Sequence, residues 1–466
     1  MSDFTIDTRP TLDFHERVKE IALKDAESLH RALVQSNDEM ARFGDSGLDS
    51  KQILDAALTA FLLDRPGVET LYQLATTLHH LVEKVLDHVI DSPELLQTHF
   101  PSHQRIFPYL KKTAGTDNWQ VISRCDLAVT PGGEIKVMEL NNGCPGGYIV
   151  SRHLIEPSTQ ALERFGFGEE VAGWSSVTVE PSAIVETVLK LESNSGLEPG
   201  VIGILFDENE LRFELDELAR EFEKSGRRAK VADARKLEYR DGRLFDSEDY
   251  LSATYNKFRV STPDSPNHCW RAGFEDRYPA YLKAQNEGTV VTVNNLCGMT
   301  VAEDKGFLGL LRRPEFLALM TVEERALVHQ CVPWTERLED REMEIDGALV
   351  NILEHVRSNK DRYVIKPANE GRGFGVLIGK SATQEEWDAV CRIDPILPCI
   401  VQDYVELISM PVGNVRSGEF AIDPMYLTLA IANADGKPHG LVCRISGELV
   451  TNVSQRGFGQ AAFEVG

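Results

Sequence analysis

The spacing of apolar and polar positions changes period several times along this chain, and each change marks a region. Residues 11–100 carry a helical spacing: Leu12, Val18, Ile21, Ala22 and Leu29, then Leu71, Leu74, Leu78, Leu81, Val85 and Val89. Inside that stretch the pattern predicts a helix holding Ile53, Ala57 and Phe61, capped by Asp49 or Ser50. Residues 1–10 read as a loose arm. The period then drops to two. Arg124, Cys125, Asp126 and Leu127 alternate, and so do Val137, Met138, Glu139, Leu140 and Asn141. Gly132 and Gly133 between them suit the positive φ angles of a two-residue hairpin loop.

That turn predicts a register. Pairing Pro131 with Glu134 makes paired residue numbers sum to 265, so Asp126 faces Glu139 and Arg124 faces Asn141. Directly opposed residues share a face, so these four converge, and Cys125, Leu127, Met138 and Leu140 pack on the other side. Pro131 cannot donate the bond its position offers; a four-residue loop about the same centre keeps the register. Opposed carboxylates repel, and a hard cation relieves them: magnesium takes carboxylate and amide oxygens, with water and phosphate completing its shell.

Further along, residues 142–147 form a glycine- and proline-rich loop, and helices are predicted at 151–165 and 181–192. VIGILF at 201–206, a helix at 211–225 and a strand at 229–233 read as a βαβ unit with a parallel sheet. No G-x-G-x-x-G follows the first strand, which excludes a dinucleotide fingerprint there. Strands follow at 253–260 and 289–294, and the segment between them, 261–284, reads as a loop or lid. A helix at 303–311 contains Lys305, another spans 384–392, and strands are predicted at 400–405, 426–432 and 440–445, before a glycine-rich end at 457–466.

One loop carries candidate chemistry of its own. A strand ends at Lys366 and another begins at Val376, with Gly371, Gly373 and Gly375 alternating between them. Glycines let backbone N–H groups approach phosphate oxygens, and Lys366 adds a point charge. The loop returns as a strand and lacks G-K-[ST], so it is not a Walker A loop. The apolar strand IVQDYV follows about 25 residues later and could place backbone groups against an adenine edge, with Gln402 and Tyr404 nearby.

Composition narrows the partners. The chain has 466 residues, room for two or three domains, and a formal net charge of -24. That charge argues against nucleic acid or an anionic membrane as partner, since both need basic patches. The eight cysteines form no C-x-x-C pair and no zinc spacing, and His79 and His80 are adjacent and share no helix face. Scattered thiols without a signal peptide or a membrane-length apolar run predict a soluble, cytoplasmic protein.

Together these segments resemble the ATP-grasp superfamily: AEDKGFLGLL with Lys305, KPANEGRGFGV with Lys366, the hinge VQDYVE, and a carboxylate–asparagine metal set. In the usual order the metal residues follow the hinge. Here they precede it, which is similar to the circularly permuted branch that includes glutathionylspermidine synthases. SRCDLAVTPGGEIKVMELNNGCPGG and GLVCRIS resemble that branch in particular, and the resemblance runs from about residue 115 to 455. It implies an α/β (α+β) fold, a circularly permuted ATP-grasp core with a small parallel βαβ domain and an N-terminal helical region. The expected divisions are 1–100, 101–195, 196–300 and 301–466. It implies ATP and Mg²⁺ as cofactors. Lys305 and Lys366 would contact phosphates under Gly371, Gly373 and Gly375; Gln402, Tyr404 and Val405 would line the adenine pocket. Asp126, Glu139 and Asn141 would bind Mg²⁺, with Arg124 and Arg444 at the reaction centre. The implied reaction joins a carboxylate to an amine through an acyl phosphate, both substrates being small molecules or peptides. A phosphoryl transferase on the same scaffold and a non-catalytic nucleotide-binding protein are the alternatives. The tail lacks the branch's aromatic-Pro-His ending, so neither glutathione nor spermidine is implied as substrate.

Overall fold

The computed structural model describes residues 4–28, 30–31, 56–143, 145–207, 212–258, 274–369, 373–392, 398–416, 419–451 and 457–466. Among these an eight-stranded sheet forms the centre. Its order is Ala56–Asp64, Phe458–Val465, Lys437–Ser446, Glu419–Ala434, Ile122–Val129, Ile135–Asn141. Ser409–Arg416 joins it on Glu419–Ala434 and Ser175–Ser176 on Phe458–Val465. The helix Arg65–Ile90 packs on this sheet through the predicted stripe, with Leu71, Leu74, Leu78, Leu81, Val85 and Val89 at most 2% exposed. Its start is set locally: Asp64 accepts from Gly67 N–H at 2.9 Å, and Pro66 sits in the first turn.

Three predicted elements are corrected. Ala57 and Phe61 lie in the Ala56–Asp64 strand, which runs parallel to the C-terminal strand, not in a helix. A spacing of four is also twice two. The run is apolar on both sides, Ala57, Phe61 and Leu63 in one core and Ala60 and Leu62 in another, so no alternation betrays the strand. Asp49, Ser50 and Ile53 lie outside the described residues. The glycine-rich end is the Phe458–Val465 strand, inside the sheet, where Gly459 sits so close to Leu154 that a Cβ would lie 2.8 Å from its Cδ1. Finally, the arm is not loose from residue 4 onward. Ile6 N–H donates to Gly133 O at 2.9 Å and Ile135 N–H to Phe4 O at 3.2 Å, with both side chains buried.

The hairpin reaches its predicted pairing by another route. Thr130 N–H donates to Glu134 O at 3.0 Å and Gly133 N–H to Thr130 O at 2.9 Å, a three-residue loop with Gly133 at φ 79. Next to this loop paired numbers sum to 264: Val129 with Ile135, Leu127 with Val137. Met138 is then an extra residue, a β-bulge, and beyond it the sum is 265: Asp126 with Glu139, Arg124 with Asn141. Val137, not Met138, joins Cys125, Leu127 and Leu140 in the core. Gly133 holds a positive φ, and a Cβ there would lie 2.3 Å from Ile6 O. Gly133→Ala is therefore expected to lower stability by about 1–3 kcal/mol. A urea unfolding midpoint equal to that of the parent chain would contradict this.

Three smaller sheets complete the frame among the described residues, one of them only the two-stranded pair Glu342–Ile345 and Ala348–Asn351. Val201–Phe206 lies between Ala229–Asp233 and Asp249–Asn256, all parallel, and Val291–Val293 runs parallel to Asp249–Asn256, with helix Arg212–Lys224 as the crossover. This is the βαβ arrangement the sequence predicts. The third sheet is antiparallel, ordered Thr335–Arg337, Cys399–Asp403, Tyr363–Pro367, Leu377–Ile378. Residues 274–284 of the predicted lid form two short helices, Phe274–Arg277 and Pro279–Glu287, joined at Tyr278; residues 261–273 lie outside the described residues. No helix among the described residues is long and apolar enough to cross a membrane.

Candidate active site

The inner end of the site is built on the hairpin. Asp126 accepts from Arg124 Nε at 2.7 Å and Nη2 at 3.0 Å, and from Arg444 Nη2 at 2.6 Å. Arg444 arrives from two strands away. Register places Asp126, Ala430 and Val442 in one row, and Ala128, Thr428 and Arg444 in the next. The alanines between them leave the room through which the guanidinium reaches the carboxylate. Burial alone would raise the Asp126 carboxyl, but the two arginines hold it below the ordinary carboxylate range. Arg124 also donates to Gly146 O at 2.6 Å and so pins the loop that follows the hairpin. Asn141 Nδ2 donates to Glu139 Oε1 at 3.2 Å.

Lys305 comes to the same point from a turn, not from the predicted helix, which begins only at Phe307. Its Nζ is 3.5 Å from Glu139 Oε2, and burial, which would raise the Glu139 carboxyl, is outweighed first of all by this lysine. The turn is held from behind. Asp304 accepts from Gly306 N–H at 2.8 Å and from Arg337 Nη2 at 2.9 Å, and lies 2.9 Å from His103 Nε2. Against burial, Arg337 and His103 pull its carboxyl down to about 2. Lys305 N–H donates to Ala368 O at 2.9 Å, two residues past Lys366, so the segments bearing both lysines are joined through backbone. Glu303 accepts from the backbone N–H of Asn142 and, at 2.8 Å, of Gly143, while burial pushes it up to about 7. Sequence reading missed Glu303, since its partners are backbone groups that no motif signals.

Lys366 and Gln402 meet on the antiparallel sheet. Lys366 Nζ donates to Gln402 Oε1 at 2.7 Å, and burial lowers the lysine to about 8. Gln402 is 1% exposed and lies under Lys366; it does not line the cleft wall with Tyr404 and Val405, as the resemblance implies it would. The cleft itself holds about 880 Å³, solvent at its mouth included. Asp126, Glu139, Lys305, Lys366 and Arg444 stand at one end, Tyr404 and Val405 border it, and Val364, Ile378 and Leu407 give it apolar walls. Gly373 and Phe374 also line it, Phe374 56% exposed; Gly375 takes φ 69 where a Cβ would meet Pro367 at 2.7 Å. Gly371 lies outside the described residues. Val364 was legible, two residues from Lys366 on the same strand face. Thr428 and Thr451, hydrogen-bonded to each other at 2.6 Å, also line the cleft and carry no local signal.

Four cations, Arg124, Arg444, Lys305 and Lys366, thus surround two carboxylates, in a chain whose net charge is -24. That local excess of positive charge suits a polyanion. The oxygens of Asp126, Glu139 and Asn141 are the hard donors a magnesium ion takes. Among the described residues no group of three or more His, Cys, Asp or Glu side chains stands ready for a metal. An ion on these oxygens would therefore need ligand phosphates and water to complete its shell.

The comparisons with known proteins follow this geometry. No family model matches the chain. A solved glutathione synthetase-like effector from Globodera pallida, in its apo form, superposes with a TM-score of 0.63 at 11% identity, covering 94% of this chain and 97% of that one. A curated protein, the ATP-grasp enzyme ankG of Aspergillus thermomutatus, is 32% identical over 91 residues. The fold is ATP-grasp-like, of the glutathione synthetase kind. The match to the curated ATP-grasp enzyme spans 18% of this chain and 17% of that protein's length. The hairpin, the two lysine segments and residues 373–376 meet around one cleft.

Proposed function

We propose that this chain is an ATP-dependent carboxylate–amine ligase whose ATP-grasp core is circularly permuted. The observation that carries the reading is the cluster of four cations and two carboxylates, all but Arg124 lining one apolar-walled cleft. Triphosphate lies at the charged end, with Lys305 and Lys366 on its oxygens and the Gly373–Gly375 turn above it. The base lies toward Tyr404 and Val405. Asp126, Glu139 and Asn141 would hold Mg²⁺ through the nucleotide, and the ion supplies neutralisation of phosphate charge. The motif order, with these three residues ahead of both lysines, supports the permuted arrangement; the likenesses to an ATP-grasp enzyme and a glutathione synthetase-like chain support the ATP-grasp reading alone.

In the reaction, a substrate carboxylate oxygen attacks the γ-phosphorus, ADP leaves, and an acyl phosphate forms. An amine nitrogen then attacks the acyl carbon, phosphate leaves and the amine proton is lost. This chain's part is to orient reactants and stabilise spreading negative charge. Arg124 and Arg444 share Asp126 and so present guanidinium N–H groups at fixed positions. Arg444 Nε is buried and has no hydrogen-bond partner among the described residues, and we assign it to the transferring phosphoryl group. Asp126 fixes the aim of both guanidiniums.

The test is a screen of amino acids and amines for ADP release that needs both, with mass spectrometry of the product. A conjugate lighter by one water supports ligation; a phosphorylated product rejects it in favour of a kinase. Calorimetry gives a further check. Lys366 has its pKa lowered to about 8 by burial, so its charge is lost above that pH in the free protein. Mg-ATP affinity is expected to fall above pH 8, approaching tenfold per pH unit as one proton is taken up on binding. Affinity that stays level from pH 7 to 9.5 would remove Lys366 from the phosphate site.

A further inference from the structure

Gln402 stands in a row that runs across three strands. Register pairs it with Thr335 on one side and Val364 on the other, which makes Lys366, two residues along, its diagonal neighbour on the same face. The hydrogen bonds fix which way the amide faces. Thr335 Oγ1 donates its one proton to Pro333 O at 3.1 Å, so it accepts from Gln402 Nε2 at 3.0 Å. The carbonyl end of the amide is thereby turned to Lys366 Nζ, at 2.7 Å. Gln402 Nε2 and Lys366 Nζ each also lie 3.4 Å from Met138 O. Met138 is the bulge residue of the hairpin, without a ladder partner of its own.

We propose that Gln402 is a positioning residue: it aims the Lys366 ammonium at the phosphate end of the cleft and ties the antiparallel sheet to the hairpin bulge, and it reads no base. This rests on the nucleotide-binding reading above. An ammonium has three donors. One goes to Gln402 and one to Met138 O, which leaves the third direction set for a ligand oxygen. The chain of order runs Pro333, Thr335, Gln402, Lys366, so the direction of a cation is decided by a hydroxyl on another strand.

Calorimetry with Mg-ATP and with adenosine as separate probes tests this on Gln402→Leu and Thr335→Val. Gln402→Leu is expected to weaken Mg-ATP binding about tenfold or more and to leave adenosine affinity unchanged, since a lost hydrogen bond to a charged group is of that order. Thr335→Val, the milder change, is expected to shift Mg-ATP in the same direction and again spare adenosine. Equal losses for the two probes, or no loss for either, overturn the inference. Unmodified protein that binds neither probe overturns the nucleotide reading itself, and this one with it. If Gln402→Leu fails to fold, Thr335→Val decides by the same split.

Discussion

Asp126→Ala is expected to weaken the fold and abolish turnover together. Its side chain is 5% exposed and joins Arg124 and Arg444, themselves 11% and 13% exposed. Removing the carboxylate takes from two buried guanidiniums the counter-charge they share and leaves Arg124 only the more weakly acting Glu139. Breaking a buried pair from one side costs about 3–5 kcal/mol, so the melting temperature should drop by many degrees. ADP release in the presence of both substrates should fall to background, because two arginines lose their aim and a metal donor is gone. Asp126→Asn keeps the shape and an accepting oxygen while removing the charge. It should melt between the two and remain inactive. An alanine variant that melts like the parent chain and turns over would reject the role given to this residue.

Lys366→Met is expected to split stability from function. The lysine is 5% exposed, and burial has already brought its pKa from 10.5 to about 8, so at pH 7 the folded chain carries a charge it holds unfavourably. Methionine has a similar length and no charge. The variant should be more stable at pH 7, by about 2–4 kcal/mol before the Gln402 amide left facing it is counted. The sign of the pH dependence follows from the lowered pKa. The penalty on the parent is complete below pH 8 and is relieved as pH rises toward 10.5, so the stability gap should close over that window. Mg-ATP binding should be lost at every pH. A methionine variant that is less stable at pH 7, or that binds Mg-ATP as well as the parent, would contradict this assignment. Function and stability pull apart here because the cleft concentrates like charges for a ligand that the folded chain alone does not supply.

The alternation in residues 122–141 was enough to pair Asp126 with Glu139 and Arg124 with Asn141, because hairpin pairing is local and period two is unambiguous where one face is polar. The route was not legible. The loop has three residues, and the bulge at Met138 compensates for the shift, a trade that needs Ile6 against Gly133 and the sheet beyond to favour it. Ala57 and Phe61 were misread because a strand buried on both faces loses its alternation. Gln402 was placed by its neighbours in the hinge, and only Thr335 on the adjoining strand shows where its amide faces.

Local spacing in this chain was sufficient for the long helix, the parallel βαβ unit and the opposed acidic pair, since each depends on residues near one another in sequence. The meeting of Arg444 with Asp126, of Lys305 with Glu139, and of Lys366 with the bulge carbonyl joins segments more than 150 residues apart. Such contacts have no periodicity to read. They exist because small residues open a diagonal across the sheet and because the eight-stranded and the four-stranded antiparallel sheet meet at one cleft, and packing is a property of the whole chain.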